Sequence, residues 1–184
     1  MITKLKKDKD KLGIIRLNCY KLFLCNLEMK YLFEEADEKT IFSYNSDSFL
    51  RFCIESIHIR FCLLASILIS ENEEYSMMKF INECMNENES KREVWTILYG
   101  YDFQLAWKKV KKLRDKCYAH HDKQEERVRE LIQLSQRDRN IITNGLVESI
   151  SVLYRELKLG GIDFTGEEPG IKAELEIMEE YKSQ

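Results

Sequence analysis

Proline is nearly absent from this chain, which has one proline and seven glycines in 184 residues. Folds rich in β-hairpins use proline and glycine at their turns, so this scarcity argues against them. The apolar fraction is 44%, which excludes a disordered chain and suffices for one ordinary domain with a core. Composition therefore predicts a single domain that is mostly helical.

A strong charge of one sign is also lacking. Basic and acidic residues number 29 and 32, and the formal net charge is −3. Such a balance does not indicate a nucleic-acid-binding protein. The charges are unevenly distributed, however, because residues 108–116 hold six basic side chains and one acidic one, whereas residues 160–184 hold seven acidic and two basic ones.

Long hydrophobic runs are missing as well. The most apolar stretch, Phe61–Ile69, has nine residues, about half of a membrane span. Residues 1–10 are charged and lack the apolar run of a signal peptide. The six cysteines include no CxxC pair, so no zinc site is indicated. We therefore expect a cytoplasmic protein without membrane contact, metal or cofactor, whose cysteines are reduced and face the core.

Apolar residues recur at helical spacing in several segments. They predict helices over residues 12–35, 73–85, 102–117 and 141–157, with a weaker pattern at 128–134. The predicted fold class is all-α: a helical bundle over residues 1–159, followed at residues 160–184 by a loop and a short acidic helix.

A further helix is predicted to start at Ser46 or Asp47, which are suitable caps, and to end at Ile69. It is apolar on most of its circumference, which favours a central position and predicts a dimer. Its one histidine, His58, is expected in the core or at an interface, with a local hydrogen-bond partner. Residues 86–91 are predicted to form a loop, and the polar residues 136–140 a helix break or a water-facing turn.

One segment concentrates chemically active side chains. It runs from Trp107 to Lys123 and holds two of the three histidines beside the basic cluster. Histidine titrates near neutrality and can move a proton, whereas arginine stays charged and can hold two phosphate oxygens. RNA supplies its own nucleophile, the 2′-hydroxyl, so its cleavage needs proton transfer and charge stabilisation but no metal. The segment therefore predicts a site that binds and cuts RNA.

Residues 114–122 read Arg-Asp-Lys-Cys-Tyr-Ala-His-His-Asp. They resemble the signature of HEPN domains, an arginine and a polar residue followed after a short spacer by a histidine. The form Arg-Asp-Lys-x-x-Ala-His-x-Asp is similar to the abortive-infection branch of that family. This resemblance implies a helical bundle that forms a homodimer, metal-independent endoribonuclease activity, and a role in antiphage defence or a toxin–antitoxin system. An antitoxin or another defence-system protein is then an expected partner.

The resemblance assigns Arg114 to the scissile phosphate, Asp115 to orientation of the site and His120 to proton transfer. On an unbroken helix His121 falls within about 20° of Arg114, whereas His120 lies about 120° away. Helical geometry therefore favours His121, and the family pattern favours His120. The lysines of the basic cluster are the predicted RNA-binding residues. These are Lys108, Lys109, Lys111, Lys112 and Lys116.

Other interpretations of this segment stay open. Arg114 is compatible with an ordinary surface position, and the histidines are compatible with capping of a helix C-terminus, where cations are favoured. A lysine cluster is often only a solvated helix face. The alternatives to a ribonuclease are a non-catalytic module that binds RNA or a nucleotide, and a helical dimer that binds only proteins. The acidic residues after Gly160 are predicted either to cover the basic helix and inhibit it or to be solvated.

Overall fold

The computed structural model describes residues 2–32, 49–119 and 134–159, together with residues 161, 162 and 164. Within that part of the chain every regular element is a helix, which confirms the predicted all-α class. The helices are α1 (Ile2–Lys30), α2 (Phe49–Ile69), α3 (Met77–Cys84), α4 (Glu89–Leu98), α5 (Tyr101–Ala119) and α6 (Gln136–Glu156).

Four long helices form a bundle in which α1 packs against α2 and α6, and α5 packs against the same two helices. Helices α1 and α6 are antiparallel. Asn26, near the end of α1, bonds to Asn140, near the start of α6 (2.9 Å), and Arg16 lies over the ring of Tyr154, near the end of α6. The two helices therefore meet in opposite directions along their length.

The same alternation holds around the bundle. Lys109 of α5 reaches Asp138 of α6, while the earlier Phe103 packs on the later Gly145, so α5 and α6 are antiparallel. Leu32, just after α1, packs against Ile54 in the first half of α2. The ends of α1 and α5 and the starts of α2 and α6 therefore share one end of the bundle. We call it the Arg114 end.

Helix α2 has its second half in the core, where Phe61, Ala65 and Leu68 are fully buried. By length and composition residues 52–69 are apolar enough to cross a membrane, with a mean hydropathy of 1.9. The apolar part of this helix therefore has 18 residues, twice the length of the most apolar run, Phe61–Ile69. Buried core helices pass the same test, and α2 packs against both α1 and α5.

The short helices begin at side-chain caps. Ser76 accepts a hydrogen bond from the Lys79 N–H at the start of α3, and Asn88 accepts one from the Lys91 N–H at the start of α4. The predicted loop at residues 86–91 is wrong from Glu89 onward, because α4 starts there. Helix α3 starts at Met77 rather than at residue 73, since residues 71–75 form a turn.

Helix α6 begins within the polar run that was predicted to be a break or a water-facing turn. That prediction is wrong, because Ser135 and Asp138 form a reciprocal capping box at its first turn. Asp138 and Arg139 are buried, with exposed fractions of 7% and 3%. The Arg139 Nη1 donates to the Leu134 carbonyl oxygen (2.6 Å), so this backbone acceptor just before the helix has a hydrogen-bond partner.

The helix ends differ from the predicted ones elsewhere too. Helix α1 already begins at Ile2 rather than at residue 12. Helix α6 ends at Glu156, next to the predicted end at residue 157, and Lys158 follows in the left-handed region (φ 53°). The predicted caps Ser46 and Asp47, the weak pattern up to residue 133 and the acidic helix after Gly170 lie outside the described residues.

The cysteines follow the prediction where their side chains are described. Cys19, Cys25 and Cys62 are buried, and Cys53 and Cys84 are half-buried. Burial raises the pKa of the Cys25 thiol to about 11, so it is protonated and unreactive at neutral pH.

Candidate functional site

Arg114 lies near the C-terminal end of α5, at the Arg114 end of the bundle, and its side chain is 29% exposed. Its Nε and Nη2 both donate to Oδ1 of Asp115, at 2.8 and 2.5 Å. Neighbouring residues on a helix do not normally face each other, so the guanidinium bends along the helix surface to reach this carboxylate. Asp115 thereby sets the direction of the guanidinium and balances its charge.

Three lysines of α5 form a separate cationic surface, which we call the lysine face: Lys108, Lys111 and Lys112. At 100° per residue they fall within an arc of about 100°, and all three are exposed. None of them is in an ion pair in the described part of the chain. The lysine face therefore presents three uncompensated positive charges to solvent.

Lys109 is different from the lysine face. Its Nζ donates to both carboxylate oxygens of Asp138, at 2.8 Å each. Burial acts to raise the pKa of Asp138, but bonds from Lys109 and from the hydroxyl and N–H of Ser135 outweigh it, so this pKa lies below its usual value. Lys109 thus stabilises the contact between α5 and α6 and is committed to the fold.

The remaining predicted site residues are not described as side chains. His120 and His121 lie outside the described residues, and Lys116 belongs to the described backbone only. The structure therefore brings together Arg114, Asp115 and the lysine face on one helix.

A polar cluster at the same end of the bundle was missed from the sequence. The Gln136 amide donates to the side-chain oxygens of Asn26 and Asn140, and its Oε1 accepts from Nε and Nη2 of Arg139. The cluster joins α1 to α6 and buries the guanidinium of Arg139, the residue that follows Asp138. The feature of the sequence that indicates this cluster is the polar run at residues 136–140, which was interpreted as a helix break or a water-facing turn.

His58 lies in the core, as predicted, but without the expected partner. It is 0% exposed, and neither ring nitrogen has a hydrogen-bond partner among the described residues. Burial and the charge of Arg139 lower its pKa to about 4, so the imidazole is neutral at physiological pH. A neutral, enclosed histidine contributes nothing to the charge of the Arg114 end.

Within the described ranges, no group of three histidine, cysteine, aspartate or glutamate side chains is placed to hold a metal ion. Comparisons with protein-family models, with curated proteins and with solved structures found no match to this chain. The function therefore has to be argued from the chain's own residues.

Proposed function

We propose that this chain is a metal-independent endoribonuclease of the HEPN type, acting in the cytoplasm as a toxin or an abortive-infection effector. The observation that carries the proposal is the position of Arg114. The motif arginine lies near the end of a long helix in an all-α bundle, with its guanidinium held by Asp115 and the lysine face beside it.

In the proposed reaction His120 takes the proton of the RNA 2′-hydroxyl, and the 2′-oxygen attacks the adjacent phosphorus. The bond from phosphorus to the 5′-oxygen breaks, and that oxygen receives a proton from a second acid. The products are a 2′,3′-cyclic phosphate and a 5′-hydroxyl, so protons and bonds balance. His121 is the alternative for either proton transfer.

Arg114 would stabilise the extra negative charge on the phosphorane, since an arginine can donate two parallel hydrogen bonds to phosphate oxygens. In the free chain the Asp115 carboxylate accepts from two of the guanidinium nitrogens. A phosphate must therefore either bind the remaining edge of the guanidinium or displace this carboxylate. In the first case Asp115 acts as a positioning residue, because it still holds the guanidinium while the phosphate is bound.

The lysine face would bind the RNA backbone next to the site. When a lysine neutralises one phosphate of a single strand, the fall of log affinity with log salt concentration becomes steeper by about 0.7. Lys108, Lys111 and Lys112 are uncompensated, so they account for a slope of about 2. Lys109 would add little, because Asp138 already pairs with it.

The proposed enzyme is a homodimer. Two large apolar side chains on one face of α2 are exposed, Phe52 at 67% and Ile59 at 37%, and Phe52 lies in the first turn of α2, at the Arg114 end. A second copy would bury them and bring two copies of Arg114 together. An antitoxin or another defence-system protein would restrain the activity.

A non-catalytic module that binds RNA or a nucleotide is the second candidate. The contact between Arg114 and Asp115 favours it, because a guanidinium neutralised by a carboxylate is less able to stabilise the charge of a phosphorane. This candidate uses the same lysine face and requires no proton transfer.

Expression in a bacterial host tests the proposal. The wild type, Arg114→Ala, His120→Ala and the control Arg92→Ala, an exposed arginine on α4, are induced at equal levels. We expect growth arrest with RNA fragmentation from the wild type and the control alone. Equal toxicity of Arg114→Ala would refute the catalytic role, and RNA that is bound but intact would support the second candidate.

A further inference from the structure

We propose that the acidic C-terminal segment, residues 165–184, docks on the lysine face of its own chain and competes there with RNA. Three features of this chain support the docking itself: the complementary charges of the two surfaces, the apolar pattern of the segment and the course of the chain after α6. Only its consequence for RNA rests on the proposed function.

Charge complementarity is the first argument. The lysine face carries three exposed ammonium groups without an ion-pair partner in the described structure. Residues 165–184 contain six glutamates and two lysines. The acidic segment is therefore complementary in charge to the lysine face, which has no ion-pair partner among the described residues.

The apolar pattern of the segment is the second argument. Ile171, Leu175 and Met178 recur at helical spacing, and Glu174 and Glu179 flank that stripe. On α5 the exposed Leu105 falls within about 60° of Lys108 on the helix circumference. A helix with an apolar stripe between glutamates fits a surface with a leucine beside lysines.

The path of the chain is the third argument. Helix α6 ends close to where Arg16 lies over Tyr154, but Phe164 is buried against Tyr20 and Phe23, with ring centroids 5.4 and 5.8 Å apart. Between residues 159 and 164 the chain therefore runs back along α1, towards the Arg114 end. Phe164 therefore lies closer to the Arg114 end than the end of α6 does.

The length of the segment is sufficient. Six extended residues span up to about 20 Å, and the eleven residues 171–181 span about 16 Å as a helix. Helices α1 and α5 lie diagonally across a bundle whose neighbouring axes are about 10 Å apart, so their axes are about 14 Å apart. The lysine face lies on the side of α5 away from the buried Val110 and Leu113, about 5 Å further out. The segment can thus cross the Arg114 end and reach the lysine face.

Tethering makes a weak contact effective. A short flexible linker gives an effective concentration of about 1 mM, so an interaction with a dissociation constant below that keeps the lysine face mostly covered. Because the contact is electrostatic and exposed, salt weakens it. RNA, with one charge per nucleotide, then competes for the same lysines.

Carbodiimide cross-linking of the full chain tests the docking without RNA. We expect isopeptide links between glutamates of residues 165–184 and lysines of the lysine face, formed within one chain in a mixture of isotopically labelled and unlabelled protein. Lys111→Glu with Lys112→Glu should also abolish the links to the remaining Lys108, whereas Lys9→Glu with Arg92→Glu, at two exposed cations away from the Arg114 end, should not. Links at equal yield to Lys9, links only between chains, or no links would overturn the docking.

Fluorescence anisotropy with a labelled single-stranded RNA tests the competition. The tail variant carries Glu174→Gln, Glu176→Gln and Glu179→Gln. The control variant carries the same charge change in the exposed turn after α2, at Glu71, Glu73 and Glu74.

At 50 mM salt the tail variant should bind RNA about tenfold more tightly than the wild type, and the control variant less than twofold. Equal gains in both variants would overturn the competition. If the cross-links form but none of the proteins binds RNA, the proposed function fails while the docking stands. If RNA is bound but no cross-links form, the docking fails while RNA binding by the proposed function stands.

Discussion

Lys109 Nζ lies 2.8 Å from each carboxylate oxygen of Asp138, and this pair ties the basic helix α5 to the first turn of α6. The basic cluster is therefore divided in function. One lysine supports the packing of two helices, while the three residues of the lysine face have no ion-pair partner in the described structure.

This division predicts opposite effects for neighbouring substitutions. Lys109→Met should lower the free energy of unfolding by about 1–2 kcal/mol, because it leaves a buried carboxylate without its cation. Lys108→Met should leave stability within about 0.5 kcal/mol and weaken RNA binding. Urea unfolding and RNA anisotropy measure the two quantities. Equal stability of the two variants would show that the Lys109 pair does not hold the helices together.

His58 predicts a specific pH dependence of stability. Its pKa is about 4 in the fold and close to 6.5 in the unfolded chain, so the unfolded state binds the proton more readily. Above pH 6.5 the imidazole is neutral in both states and the free energy of unfolding has its full value. As the pH falls from 6.5 towards 4, the unfolded chain takes up a proton that the folded chain does not, so the free energy of unfolding decreases. The full loss is about 3 kcal/mol.

His58→Leu should remove this dependence. At pH 7.5 it should be neutral or stabilising, because it deletes two buried nitrogens that lack hydrogen-bond partners among the described residues. Urea unfolding at several values between pH 7.5 and 4.5 tests this, with His58→Gln as a polar variant that does not titrate. Parallel pH profiles of wild type and His58→Leu would contradict the assignment.

The close contact between α5 and α6 depends on Gly145. A Cβ there would lie 2.7 and 2.8 Å from two ring carbons of Phe103, which is itself buried. Gly145→Ala should therefore destabilise the fold by about 1–3 kcal/mol, despite the better helix propensity of alanine.

Gly13 supplies the matched control, since nothing lies within 4 Å of a Cβ at that position of α1. Gly13→Ala should raise stability by about 0.5–1 kcal/mol through helix propensity alone. Thermal unfolding of both variants measures the contrast. A rise in Tm for Gly145→Ala would mean that α5 and α6 are further apart than described.

Asp115→Asn separates binding from positioning. The amide removes the negative charge beside Arg114 but can still accept one hydrogen bond, so RNA affinity should increase about two- to fivefold at low salt. Cleavage should fall, because the guanidinium is no longer held in one direction. Binding and single-turnover rates are measured on the same RNA. A parallel fall of both quantities would argue that Asp115 only supports the helix.

The sequence predicted most of α1, α5 and α6 because apolar residues recur there every three or four positions, and α2 because it is apolar on most of its circumference. It missed α4, whose buried residues are only Lys91, Val94 and Leu98 and whose start depends on the Asn88 cap. It also misread residues 136–140, because their partners are distant in the sequence: Asn26 for Gln136 and Asn140, and Lys109 for Asp138. The spacing of apolar residues indicates which face of a helix is buried, but it does not indicate which other helix packs on that face.

The candidate site divides in the same way. Arg114 and Asp115 were predicted from a local motif, and they are neighbours in the chain. Their hydrogen bonds depend on a side-chain conformation, which residue spacing does not specify. The pairing of Lys109 depends on how α6 packs, 29 positions away.

Cleavage of a labelled single-stranded RNA by the purified chain in EDTA tests the central claim most directly. The account predicts 2′,3′-cyclic phosphate ends from the wild type and from Arg92→Ala, no cleavage by Arg114→Ala or His120→Ala, and no cleavage at a 2′-deoxy position. Intact RNA with the wild type, or equal cleavage by Arg114→Ala, would contradict it.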